Sequence, residues 1–218
     1  MSEKMERAPD WTALAEAVAA GLGMCLFAFF AHAPMPARAV AVVGLSLAAA
    51  VLCRAVLKSP SPLGLFGLWP VPRRTAIFVP IALVLGVAAA LGYRYHLAWP
   101  LVPRAAGGFA LVAAAIGGAE ELLYRGFVQG RARRLGPIGA IFLAAGLHTA
   151  YKTLLFAGPA VPLGMDLPFI ITWTLVGGIV FGQLREVSGG VLAPLAAHVA
   201  FDILVYADQA QAPWWVWS

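Results

Sequence analysis

The chain has 218 residues, 61% of them hydrophobic and 11% charged, with a mean hydropathy of +0.84. A soluble domain is roughly half apolar and about a quarter charged, so an ordinary globular protein is excluded and an all-α, polytopic bundle of membrane helices is indicated. The formal net charge of +5 is modest, and the basic residues fall between apolar runs as orientation signals, which argues against nucleic acid as a partner.

Residues 1–10 carry Glu3, Lys4, Glu6, Arg7 and Asp10 and read as a short solvated tail. Ala31-His32-Ala33 resembles a cleavage site, but the preceding segment is not basic and another apolar run follows at once, so a signal peptide is disfavoured. Spanning a bilayer takes about 20 apolar residues. Runs near that length occur at 11–31, 37–57, 75–98, 105–128, 138–157, 167–184 and 190–207, which predicts about seven transmembrane helices. Between the second and third runs, the Pro- and Gly-rich segment 59–74 reads as interfacial, because prolines and glycines at that density break helices. The chain therefore divides into a tail (1–10), N-terminal membrane helices (11–104), a core (105–207) and an aromatic tail (208–218). Cys25 and Cys53 lie in different runs and read as buried hydrophobes rather than a disulfide or metal framework.

With seven passes the termini lie on opposite sides. Lys4, Arg7, Arg54, Lys58, Arg73, Arg74, Arg131, Arg133, Arg134 and Arg185 collect on one side and outnumber Arg38, Arg94, Arg104 and Lys152 on the other. The positive-inside rule then places the N-terminus in the cytoplasm. Pro213-Trp-Trp-Val-Trp217 becomes an aromatic anchor at the outer interface.

Within Gly117-Gly-Ala-Glu-Glu-Leu-Leu-Tyr-Arg-Gly126, two carboxylates and a guanidinium enter an apolar run. Each would cost a few kcal/mol in lipid unless paired or facing a wet cavity, so such residues are functional candidates. Glu120 and Glu121 point about 100° apart on a helix. Glu121 stands one turn before Arg125, the favourable order for an ion pair, which would leave Glu120 as the free carboxylate. His148 lies in the fifth run; His198 and Asp202, at i and i+4, share a face of the seventh. At ~1.5 Å rise per residue, Glu120, His148 and His198 all fall about 12–17 Å below the cytoplasmic surface and could meet in one cavity. The alternative is that these groups only tie helices together.

Glu120-Glu121-x-x-x-Arg125, a histidine one helix later, and His198-x-x-x-Asp202 resemble the motifs of the CAAX proteases and bacteriocin-processing enzymes, the CPBP or Abi family, and of its type 2 CAAX prenyl proteases. The surroundings of His198, from Phe181-Gly-Gln-Leu-Arg-Glu onward, are similar as well. Two departures stand out. Ala144 occupies the position where the family usually has Phe, and Asp202 stands where Asn is common. An ionised Asp cannot donate a hydrogen bond as Asn does.

The resemblance implies a membrane-embedded endopeptidase acting on a membrane-associated protein or peptide. In it Glu120 would activate water, His148 would help hold it, His198 and Asp202 would bind the carbonyl and its oxyanion, and Glu121–Arg125 would be a structural pair. No cofactor is required by that scheme. A zinc ion held by Glu120, His148 and His198 would use the same residues in a His2Glu arrangement. A non-catalytic scaffold or immunity protein is a rival, disfavoured because every polar motif position is filled. A transporter is another, disfavoured because two matching halves are lacking. The resemblance also suggests a plasma-membrane protein of a bacterium, with the substrate left open between prenylated C-termini, other peptides and C-terminal sorting signals.

Overall fold

A computed structural model of the chain describes residues 11–69, 71–159 and 166–209. The tail 1–10 and the aromatic anchor Pro213–Trp217 lie outside the described residues. Among those described, the structure is helical and contains no strand. The elements are α1 (Trp11–Phe30), α2 (Arg38–Lys58), α3 (Pro62–Leu65), α4 (Pro72–His96), α5 (Phe109–Glu121), α6 (Gln129–Arg131), α7 (Gly136–Phe156), α8 (Leu167–Ser188) and α9 (Leu192–Tyr206). A π-helical stretch, Leu122–Val128, joins α5 to α6, and a 3-10 turn, Arg133–Leu135, joins α6 to α7.

The seven apolar runs thus correspond to α1, α2, α4, the α5–π–α6 unit, α7, α8 and α9. Five stretches are long and apolar enough to cross a membrane: Trp11–Phe30, Arg38–Lys58, Pro72–His96, Arg133–Phe156 and Leu167–Ser188. The fourth run differs from the expected plain helix because its hydrogen bonding changes to the π pattern directly after Glu121. The seventh has 15 residues, about 22 Å of rise, less than the ~30 Å hydrocarbon thickness.

Local chemistry sets many of the boundaries. Pro72, Pro137 and Pro168 occupy first-turn positions of α4, α7 and α8, where a missing N–H costs nothing. Asp166 caps α8 by accepting from the Phe169 N–H at 3.0 Å. Gly189, at φ +77°, ends α8 in the left-handed conformation that glycine adopts without strain.

Packing uses small residues, as expected where lipid is as apolar as the side chains. Gly23 of α1 faces Gly44 of α2, and Gly86 of α4 lies against the Ala197 carbonyl of α9, too close for a Cβ. α7 sits between α1 and α8, and α9 between α4, α5 and α8. Large apolar side chains point outward: Val42, Val43, Leu57, Val84, Leu111 and Val176 are all more than half exposed. The largest fully buried side chains include Arg94, Arg125, Tyr124, Gln129 and Glu121. The bundle is apolar outside, and its interior combines small apolar residues with a set of buried polar side chains.

The segment between α2 and α4 docks on this core. Phe66 packs against Phe127 with ring centroids 6.2 Å apart, and the Gly67 carbonyl accepts from the Val191 N–H at 2.9 Å. At the opposite end of the bundle, Arg94 is fully buried. It donates to the carbonyls of Leu204 (3.0 Å), Val205 (2.9 Å) and Pro100 (2.6 Å) and pairs with Asp208 at 2.6 Å. Arg94, read from the sequence as a basic residue of the outer side, is instead an interior clamp on the C-terminus of α9. Arg185, assigned to the cytoplasmic side, is likewise buried, beside Glu186 at 2.7 Å.

Candidate functional site

Glu120, Glu121 and Arg125 come from the α5–π–α6 unit, His148 from α7, and His198 and Asp202 from α9. All six are buried, and the packing of α7 and α9 around that unit brings them together. Arg125 Nη1 lies 3.1 Å from Glu121 Oε1, the i,i+4 pair expected from spacing. The same Nη1 lies 2.9 Å from His148 Nδ1. A guanidinium has only donors, so His148 Nδ1 accepts and the proton of the neutral ring resides on Nε2. That Nε2 faces Glu120 Oε2 at 3.2 Å and donates to it. Tyr124 stacks on the His148 ring with centroids 4.6 Å apart, holding its plane.

His198 is fixed from the same anchor. Its Nδ1 lies 2.8 Å from Glu121 Oε1 and donates to that carboxylate, while its Nε2 stands 3.6 Å from Asp202 Oδ2 and 3.9 Å from Glu120 Oε2. Glu121 therefore orients both histidines, His198 directly and His148 through Arg125. Phe181 packs beside the His198 ring, centroids 5.6 Å apart. Gly117, one turn before Glu120 and Glu121, leaves the room that this convergence needs: a Cβ there would overlap Asp202 Oδ2 and stand 2.9 Å from His198 Cδ2.

One participant was missed by the sequence reading. Lys152 Nζ forms an ion pair with Glu120 Oε1 at 2.5 Å. Glu120 is therefore not a free carboxylate. It lies between the Lys152 ammonium on one oxygen and the His148 N–H on the other. The signal was available, because Lys152 follows His148 by four residues and shares its helix face. Its charge had been assigned to the outer side instead. Gln129 is also buried here, donating to the Gly182 carbonyl at 3.0 Å and to Glu186 at 2.9 Å, which ties α6 to α8. Of the remaining histidines, His96 stacks on Phe169 with centroids 3.6 Å apart, close to Asp166, away from this cluster.

A cavity of about 40 Å³ borders the cluster, lined by Phe109, Ala113, Ile116, Gly117, Lys152, Asp202 and Tyr206. That is room for a water molecule beside polar partners. It lies toward the bundle end where α5 begins and α7 and α9 finish.

The hydrogen-bond pattern does not fit a His2Glu zinc site. With Nδ1 occupied by Arg125, His148 presents an N–H rather than a lone pair to Glu120, and Glu120 Oε1 is held by Lys152. Among the described residues, no group of three or more His, Cys, Asp and Glu side chains is arranged to hold a metal ion.

Residues 102–204 match the family model described as type II CAAX prenyl endopeptidase Rce1-like. No curated protein and no solved structure matches the chain. This match covers a little under half of the chain and contains the whole polar cluster, and it supports the CAAX protease family for this all-helical chain with apolar helices of membrane-spanning length.

Proposed function

We propose that this protein is an intramembrane endopeptidase that hydrolyses a peptide bond of a membrane-associated protein or peptide by glutamate-activated water. One observation supports this above the rest. In a bundle whose outside is apolar, the Glu120 carboxylate is met by His148, Lys152 and His198, and two members of this cluster, Lys152 and Asp202, line a water-sized cavity.

In this reading a water in the cavity lies between Glu120 and the scissile carbonyl. Glu120 takes its proton, hydroxide attacks the carbonyl carbon, and the oxyanion forms. Glu120 then returns the proton to the departing amine as the C–N bond breaks. His148 Nε2–H holds the carboxylate in aim, its tautomer fixed by Arg125. His198 acts as the imidazolium: Glu121 holds its Nδ1–H, and its Nε2–H turns toward the reacting carbonyl and donates to the oxyanion. Asp202 stands beside that same Nε2, 3.6 Å away, and steadies the ring on the side that faces the carbonyl. No step requires a metal. The localisation that goes with this reading is a bacterial plasma membrane, with the N-terminus in the cytoplasm and the core 105–207 as the catalytic part.

The test is cleavage of a membrane-anchored peptide library by purified wild type and by Glu120→Gln, with and without a chelator. Cleavage abolished in Glu120→Gln and insensitive to the chelator is the expected result. Loss on chelation with recovery on adding zinc would replace the metal-free mechanism. Equal cleavage by the variant would remove Glu120 from the chemistry, and silence of the wild type would favour a non-catalytic membrane scaffold.

A further inference from the structure

The oxyanion side of this site is short of donors. Asp202, when ionised, accepts only, and Arg125, 1% exposed, is committed to Glu121 and His148. His198 offers one ring nitrogen. One more cation reaches the cavity. Lys152 lines it together with Asp202 and Gly117, and its side chain is 24% exposed where Glu120's is 7%. Its ammonium carries three donors on a flexible stem.

We propose that Lys152 is a catalytic residue that passes from Glu120 to the substrate oxyanion during turnover. The inference rests on the protease reading above. Before reaction the Lys152 ammonium is paired with the Glu120 carboxylate. When Glu120 accepts the water proton it becomes neutral, and the negative charge moves to the former carbonyl oxygen as the C–O bond forms. The ammonium follows that charge across the cavity while keeping its own protons, so the ion pair is conserved with a new anion. Collapse of the intermediate expels the amine, which takes the proton back from Glu120, and Lys152 returns to the regenerated carboxylate. The resting pair thus holds the cation in place for the charge it will meet. A purely structural lysine would do no more than neutralise Glu120.

The test compares wild type with Lys152→Met and Lys152→Arg on the peptides that the wild type cleaves, with kcat and KM separated. Loss of one oxyanion donor lowers kcat by about 10²–10³-fold. That loss is expected for Lys152→Met with KM within about threefold, and Lys152→Arg should recover part of it. If Lys152→Met fails to fold, the Lys152→Cys variant in a Cys53→Ser background is alkylated with 2-bromoethylamine to rebuild an amine. Recovery of kcat on alkylation supports the proposal, and no recovery opposes it. Lys152→Met with wild-type kcat alongside an inactive Glu120→Gln would overturn the role of Lys152 and leave the glutamate mechanism standing. An active Glu120→Gln, or a silent wild type, would instead overturn the reading beneath it.

Discussion

Gly117 shows how closely the site is fitted at the residue scale. In an exposed helix, replacing Gly by Ala stabilises by roughly 0.5–1 kcal/mol through reduced chain entropy. Here the sign reverses, because the added Cβ meets Asp202 Oδ2 and crowds His198. Forced overpacking costs about 1–3 kcal/mol. Gly117→Ala should therefore lower the melting temperature, and it should lower cleavage about 100-fold, since a 1 Å misplacement can cost that much. Thermal unfolding in detergent alongside kcat/KM checks both; a variant as stable and as active as wild type would show that Asp202 has slack. The neighbouring residues differ in how they could be read. Glu121–Arg125 is a helix-spacing pair and was legible in the chain. The second contact of Arg125, with His148 Nδ1, joins two helices and has no local signature. Lys152 had such a signature, four residues after His148, but a count of charges by helix end hid it.

At the scale of elements, apolar runs of spanning length were readable because a bilayer imposes length. The π stretch after Glu121 was not, since Leu-Leu-Tyr-Arg-Gly-Phe-Val carries no breaker before Gly126. Within it, Gly126 passes so close to Phe66 that a Cβ would stand 2.6 Å from that carbonyl oxygen. The clamp on α9 was equally hidden, because its partners are more than 100 residues from Arg94. Arg94→Met would strip the carbonyls of Leu204 and Val205 of their guanidinium donor. Each buried group left unpaired costs about 1–3 kcal/mol. At about 2–4 °C per kcal/mol for a chain of this size, the melting temperature should fall by about 4–24 °C. An unchanged melting temperature would mean that other donors or lipid replace the clamp. The Asp208 arm has a pH signature. The hydrogen bond from Arg94 holds the Asp208 carboxyl below the usual carboxylate range, so its contribution is present above the unfolded value of about 4 and disappears as pH falls through the lowered one. The gap in melting temperature between wild type and Asp208→Asn should persist from pH 8 to pH 5 and close only in stronger acid.

For the whole molecule, the two ends of the bundle differ in charge and in access. Arg54, Lys58, Arg73, Arg74, Arg131, Arg133 and Arg134 lie at or near the end where α2 finishes and α4 begins. Arg94 and Lys152 drop out of the opposing set because one is a buried clamp and the other belongs to the site, and Arg185 drops out of the basic set because it is buried. The imbalance keeps its direction, and the positive-inside rule predicts that this end faces the cytoplasm. The cavity beside Glu120 is lined by Phe109 and Tyr206, the first residue of α5 and the last of α9, at the opposite end. Under the proposed protease reading and that orientation, the substrate would approach from the outer half of the membrane. Single cysteines test the orientation, with Cys53 replaced by Ser and Cys25 left buried. Leu63→Cys in α3 reports the basic end, and Arg104→Cys in the loop before α5 reports the other. A membrane-impermeant maleimide added to intact cells should label Arg104→Cys at once and Leu63→Cys only after permeabilisation. The reverse order would turn the bundle over, so that the same cavity would open toward the cytoplasm and a cytoplasmic peptide would become the natural substrate.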